Sequence, residues 1–274
     1  MSDTALQAQV DAAKVYEALF VPALFGQWVS RVADAAQIRP GQHVLDVACG
    51  TGVLARAILS QTGPSGQVVG LDPGPGMLAV ANDLAPAVTW RQGAAESIPF
   101  PDQSFDAVVS QFGLMFFADR QQAIREMLRV LTAEGRLVVA VWDALETMPA
   151  YAAEVALLER LAGLPAADAL RAPFVLGNRD VLSRMFRNAG AASVVITTQE
   201  GTARFPSIRV MVEADLRGWL PVMGVVLTEE QIGRVLREAE TELDRFVGPG
   251  GRMAFDVRAH VVVASRDRAQ DPTG

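Results

Sequence analysis

The residues best placed to do chemistry are Asp46, Gly50, Gly52 and Asp72. Asp46 lies in an apolar run, Val44-Leu45-Asp46-Val47, and the glycines follow it in Ala48-Cys49-Gly50-Thr51-Gly52. The apolar residues read as a buried parallel strand, and the glycines let the backbone approach a ligand closely. Twenty residues after Gly52 a second apolar run, VVGLD, ends at Asp72. An acid at that spacing is the usual partner of ribose hydroxyls. A carboxylate beside a glycine loop suits a nucleoside that carries positive charge and no phosphate.

Two other readings compete for the same loop. Gly50-Thr51-Gly52-Val53-Leu54-Ala55 fits the dinucleotide pattern G-x-G-x-x-A. Asp46, four residues before Gly50, opposes it, because a carboxylate repels a pyrophosphate and desolvating both adds to the cost. Beside a sulfonium and an amino group the same carboxylate is attractive. The plainer alternative leaves Asp46 capping a neighbouring loop and the glycines making a tight turn. Cys49, the one cysteine, rules out an intrachain disulfide framework and cysteine-based zinc sites. It reads as a small packing residue.

The 274 residues can bury a large core as one α/β domain with insertions, or as one domain plus a cap. Half are hydrophobic and a fifth charged, as in ordinary soluble enzymes, and the net charge is −7. Nucleic acid or an anionic membrane would favour the opposite balance, so neither is expected as a partner. The first residues, MSDTALQAQVDAAK, lack a basic and apolar leader, and no apolar run reaches membrane-spanning length. A cytoplasmic enzyme without membrane insertion is expected.

Strands and helices alternate along the chain. Strands are expected at 43–48, 67–72, 88–92, 106–111 and 136–142, with helices near 51–61, from Pro75, and at 119–131. Ile124, Met127, Leu128 and Leu131 give that last helix one apolar face. Such alternation predicts parallel strands covered by helices, with ligands at the carboxyl ends of the strands, where Asp46, Asp72 and Gln111 lie. Further on, a helix near 149–163 leads into a loop through Arg171 to Gly177. Asn178 is an N-cap for a helix over 179–189, and Thr228-Glu229-Glu230-Gln231 is a capping box opening a helix over 229–246. Strands 192–199 and 257–265 are separated by roughly 55 residues, too many for a hairpin loop and enough for a helical cap. The tail after Ser265 is expected to fray.

With these residues in hand, the chain resembles the class I S-adenosylmethionine-dependent methyltransferases, and within them the ubiquinone/menaquinone-biosynthesis branch. VLDVACGTG, VVGLDPGPGML, GAAESIPFPDQSFDAVVSQFGLMFF and EMLRVLTAEGRLVVAVW carry the resemblance over about residues 14–142. It implies S-adenosyl-L-methionine as cofactor and S-adenosyl-L-homocysteine as product. It also implies a Rossmann-like, mostly parallel seven-stranded sheet, with helices on both faces and a helical cap inserted between the last two strands. Residue by residue, Asp46 would anchor the loop and attract the methionine end. Gly50, Thr51 and Gly52 would pass their backbone beside it, and Ala48 stands where the pattern has its first glycine. Asp72 would accept the ribose hydroxyls, and Pro73 and Met77 would pack on the adenine. In Gly93-Ala94-Ala95-Glu96 the usual Asp or Asn is replaced by Ala94, leaving the Ala95 backbone to meet the adenine. Gln111 would lie beside the methionine amino group, next to Phe112.

The resemblance makes the chain one methyltransferase domain, with a helical segment at 1–40, a cofactor core at 41–142 and a substrate cap at about 143–190 and 200–256. The reaction implied is in-line attack of a small-molecule acceptor on the sulfonium methyl, which needs alignment and dryness more than a covalent catalyst. The pocket is apolar and aromatic: Met115 and Phe116 follow the fourth strand, Tyr16, Phe25 and Trp28 come from the N-terminal segment, and Trp142 and Trp219 from farther on. His43 begins the first strand at its amino end, away from the site, and His260 reads as a packing residue, so no catalytic base is named and no metal is expected. Methylation of a protein or nucleic acid, or cofactor binding without methylation, are the alternatives.

Overall fold

In the computed structural model residues 3–266 are described. Seven strands form one sheet in the order β3-β2-β1-β4-β5-β7-β6. They are β1 (His43–Val47), β2 (Gln67–Asp72), β3 (Thr89–Gln92), β4 (Phe105–Gln111), β5 (Leu131–Trp142), β6 (Ala191–Phe205) and β7 (Met253–Arg266). The first five pair in parallel, and β7 runs antiparallel to both β5 and β6. The chain passes from β1 outward to β2 and β3, then returns to place β4 on the other side of β1. That reversal opens a crevice at the carboxyl ends of β1 and β4, the place where such sheets bind ligands.

Helices α1 (Asp3–Val15), α2 (Val29–Ala36), α3 (Val53–Thr62), α4 (Pro75–Leu84) and α5 (Arg120–Val130) accompany the parallel strands. Val44, Leu45, Val47, Val108, Val109 and Leu137 to Val141 are fully buried, as a sheet covered on both faces requires. On α5, Ala123, Ile124, Met127 and Leu128 form the buried face, and Asp119 caps the helix by accepting the Gln122 N–H at 2.9 Å.

The second half supplies α6 (Pro149–Ala162), α7 (Leu164–Arg171), α8 (Arg179–Asn188), α9 (Ile208–Ala214), the short turn α10 (Leu220–Val222) and α11 (Glu229–Glu242). Asn178 caps α8, and the capping box at Thr228 and Gln231 is formed. Three expectations shift. The stretch expected as a loop before Arg171 is α7, opened by Pro165 in its first turn. Helix α11 stops at Glu242 because Leu243 leaves helical geometry. The last two strands continue past 199 and start before 257, pairing from Ala191↔Arg266 to Phe205↔Met253. Polar Gln199-Glu200-Gly201-Thr202 hides this extension. Ala203, Phe205, Met253, Phe255 and Val257 are nevertheless buried in strand alternation, so the insertion is 206–252. Arg266 ends β7, and the rest of the tail expected to fray lies outside the described residues. Among the described residues, no helix is long and apolar enough to cross a membrane.

Candidate cofactor and acceptor site

The crevice is built around two buried carboxylates held by backbone donors. Asp46, 1% exposed, accepts the N–H of Ala55 in the first turn of α3 at 3.1 Å. Asp72 accepts Gly50 N–H at 2.9 Å with one oxygen and Gly74 N–H at 2.8 Å with the other. The acid at the end of β2 therefore ties the glycine loop to the start of α4, with lone pairs left on both oxygens. Burial pushes the Asp46 carboxyl up to about 8 and raises Asp72, partly offset by these backbone bonds. A cation entering the crevice would relieve that cost, and an anion would deepen it. Asp46 already occupies a first-turn donor of α3, the kind of N–H a pyrophosphate needs. That contact weighs against the dinucleotide reading.

Loop geometry explains the residue choices. Ala48, Gly50 and Gly52 have φ of 57°, 55° and 83°. A Cβ on Gly52 would stand 2.2 Å from the Trp90 ring, so this glycine is required for space as well as conformation. Ala48 and Phe112 hold left-handed conformations without being glycine, a strain of about 1–3 kcal/mol each that concentrates at functional sites. Cys49 is a buried free thiol whose N–H bonds the Leu71 carbonyl, as a packing residue would.

Gln111, at the end of β4, donates to the Phe25 carbonyl at 3.3 Å, while its Oε1 is buried with no partner. Pro73 and Ala94 are exposed, Met77 is half-buried and Ala95 is buried. Glu96 turns toward the start of α5, accepting Ala118 N–H at 2.9 Å and Asp119 N–H at 3.3 Å.

The expected aromatic wall assembles in part. Phe112 stacks on Trp142 with centroids 3.9 Å apart, and Trp28 meets both edge-on. Phe25 packs against Trp142 and stacks on Tyr16. Trp28 and Met115 are almost wholly enclosed, whereas Phe116 is 43% exposed and meets the half-buried Trp219 at 5.0 Å. The N-terminal aromatics come from a π-helical stretch, Tyr16–Phe25, that contains Pro22 and closes with Gly26 N–H bonded to Val21 O. These wider turns take the place of regular helical spacing, and π-turns recur at functional sites.

Sequence reasoning missed Glu17. Its carboxylate accepts the Thr51 hydroxyl and forms an ion pair with Arg56 at 2.6 Å, and Arg56 also reaches the Thr51 carbonyl. The N-terminal segment is thus fastened to the glycine loop. A lone acid inside YEALFVPALF was the available signal. Also missed were Glu154 and Asp215, fully buried in the cap with carboxylate oxygens that have no partner. A single acid on the apolar face of α6 was the signal there.

Comparison with known proteins fits this geometry. The family model described as "Methyltransferase domain" matches residues 45–139. The ubiquinone/menaquinone biosynthesis C-methyltransferase of Ectopseudomonas mendocina (strain ymp) is 42% identical over 118 residues, 41% of this chain and 46% of the relative. The demethylmenaquinone methyltransferase of Thermus thermophilus is 43% identical over 117 residues, 41% of this chain and 53% of its own. The chain therefore spans about half the length of these curated relatives. The crystal structure of the YcgJ protein from Bacillus subtilis shares the fold at a TM-score of 0.58 and 21% identity, covering 88% of this chain and 99% of its own. The likeness in sequence covers about two-fifths of the chain, and the likeness in fold covers 88% of it.

Proposed function

We propose that the protein is an S-adenosylmethionine-dependent methyltransferase acting on a small apolar or aromatic acceptor. The observation that carries this reading is the convergence of Asp46, Asp72 and the unpartnered Gln111 Oε1 at one crevice, two acids and an acceptor with no basic side chain bonded to them. The donor set fits a cationic nucleoside. Gln111 Oε1 would take the ammonium, the free lone pairs of Asp72 the ribose hydroxyls, and the Gly50-Thr51-Gly52 backbone would pass beside the methionine end. Pro73, Met77, Ala95 and Phe112 would enclose the rest. The methyl donor supplies an electrophilic carbon on sulfur. The protein's own part is to align the acceptor in line with it and to exclude water by means of Phe25, Phe112, Trp142 and the cap. Helices α6, α7, α9 and α11 form the acceptor side in this reading, with Trp219 over the mouth. A cytoplasmic location suits an enzyme whose Cys49 is a buried thiol.

The relatives are named for ubiquinone/menaquinone biosynthesis and for demethylmenaquinone, and a ring acceptor suits this aromatic wall. The test pairs binding with turnover. S-adenosylhomocysteine should raise the melting temperature and NAD should not. A screen of quinols, phenols and amines with labelled cofactor should then give a methylated product by mass spectrometry. Equal stabilisation by NAD would overturn the reading.

A further inference from the structure

Resting on that reading, we propose that Glu154 and Asp215 form an acceptor subsite in the cap that takes a primary ammonium group on an aromatic or apolar body. Glu154 lies on α6 and is 0% exposed, and both of its carboxylate oxygens lack a partner. Asp215 is 3% exposed and opens a π-helical turn, Asp215–Trp219, and its Oδ2 is likewise unpartnered. Three buried acceptor oxygens with nothing to accept are costly in a folded protein, and an ammonium carries three donors. Among the described residues no side chain supplies them. Arg160, Arg171 and Arg217 of the cap are engaged elsewhere, Arg160 with Glu238 and Glu242, Arg171 with Glu159 and Asp168, and Arg217 with Glu213 and Glu229.

Two routes join this pair to the mouth of the site. Trp219, on the same π-turn as Asp215, meets Phe116 just after β4. Tyr151, one turn before Glu154, packs on Phe255, which stacks on Phe205, which meets Phe20 of the N-terminal segment. The negative charges of Asp215 and Glu154 both reach the Tyr151 hydroxyl. An apolar body would lie along Tyr151 and Phe255, with its ammonium between the two carboxyl groups, which release their protons to solvent as the cation binds.

The probe is 2-phenylethylamine, compared with 2-phenylethanol and 3-phenylpropanoate, titrated calorimetrically into the full chain with and without S-adenosylhomocysteine. The amine should bind at least about tenfold tighter than the alcohol, and the acid should not bind. Glu154→Gln and Asp215→Asn should each weaken the amine by about tenfold or more and leave S-adenosylhomocysteine affinity within about twofold. An amine that binds no tighter than the alcohol, or that is indifferent to both substitutions, overturns the subsite. Should a variant fail to fold, the amine-against-alcohol comparison on the unaltered protein decides by itself. Failure of S-adenosylhomocysteine to bind would instead overturn the methyltransferase reading, which the cofactor-free titration keeps separate.

Discussion

The molecule buries two pairs of acids and treats them differently. In the crevice, Asp46 and Asp72 are each met by backbone N–H groups from the loop and the helices they organise. In the cap, Glu154 and Asp215 meet no donor for three of their oxygens. The first pair is part of the scaffold as well as of the site, because its bonds hold the glycine loop in shape. The second contributes nothing visible to the cap's own packing, and its burial is a cost without a structural return. Acids that a fold uses can be distinguished in this way from acids that it tolerates for a ligand.

The sharpest break of this contrast is Asp72→Ala. It deletes the acceptor of two charge-assisted bonds, each worth about 1.5–3 kcal/mol. S-adenosylhomocysteine affinity should fall by about two orders of magnitude or more, with a lower melting temperature. Calorimetric titration and thermal unfolding read the two effects. Unchanged cofactor affinity would remove Asp72 from the site.

The cap pair should respond in the opposite sense, which pH resolves. Burial raises Asp215 to about 8 and lifts Glu154 well above the carboxylate range, with the Asp215 charge adding to Glu154. The folded state then holds protons that the unfolded chain releases near pH 4. Stability from Asp215 is full below about pH 4, declines as pH rises toward 8 and is flat beyond, and Glu154 acts in the same direction. Asp215→Asn should therefore match the unaltered protein at pH 4 and exceed its melting temperature by several degrees at pH 8. A constant difference across that range would show that the carboxyl is not held protonated by the fold. Asp46, raised to about 8, adds to the same decline in both proteins and cancels in the comparison.

The crevice was legible in the sequence because its requirements are local and chemical. Gly52 must be glycine because of Trp90, and Asp46 and Asp72 lie at strand ends that apolar runs mark. The parallel strands and their helices followed from period and punctuation. The cap was less legible because its boundaries depend on pairing between distant segments. Gly201 reads as a strand break until Val257 is seen beside it. Glu17 and Asp215 were missed for a related reason. Each lies in a π-helical stretch whose wider turns shift which positions share a face.

A smaller effect is expected at the contact between the N-terminal segment and the loop. Glu17 is about one-fifth exposed and bridges Thr51 and Arg56. Glu17→Gln keeps an acceptor and loses the charge, so about 1–2 kcal/mol is at stake once partial exposure to solvent is allowed for. Its effect should fall on the rate at which S-adenosylhomocysteine leaves, measured by stopped-flow displacement, because the segment lies over the crevice. An unchanged release rate would mean that the segment is fastened there for stability alone.

The smallest effect should come from Trp219→Ala, and it separates the two halves most directly. Trp219 donates its indole N–H to the Ala169 carbonyl at 2.8 Å and meets Phe116 at 5.0 Å, and it touches none of the cofactor-side acids. Losing one aromatic contact at a half-buried position is worth about 0.5–1 kcal/mol, a few-fold in an equilibrium constant. The change should appear as a raised KM for the acceptor or a shift in which acceptor is preferred, with S-adenosylhomocysteine affinity constant. Both constants are measured on the same preparation, so a general loss of folded protein would lower activity without moving either. If the cofactor constant moves and the acceptor constant does not, the insertion at 206–252 belongs to the cofactor site, and the division between crevice and cap drawn from the two acid pairs is wrong.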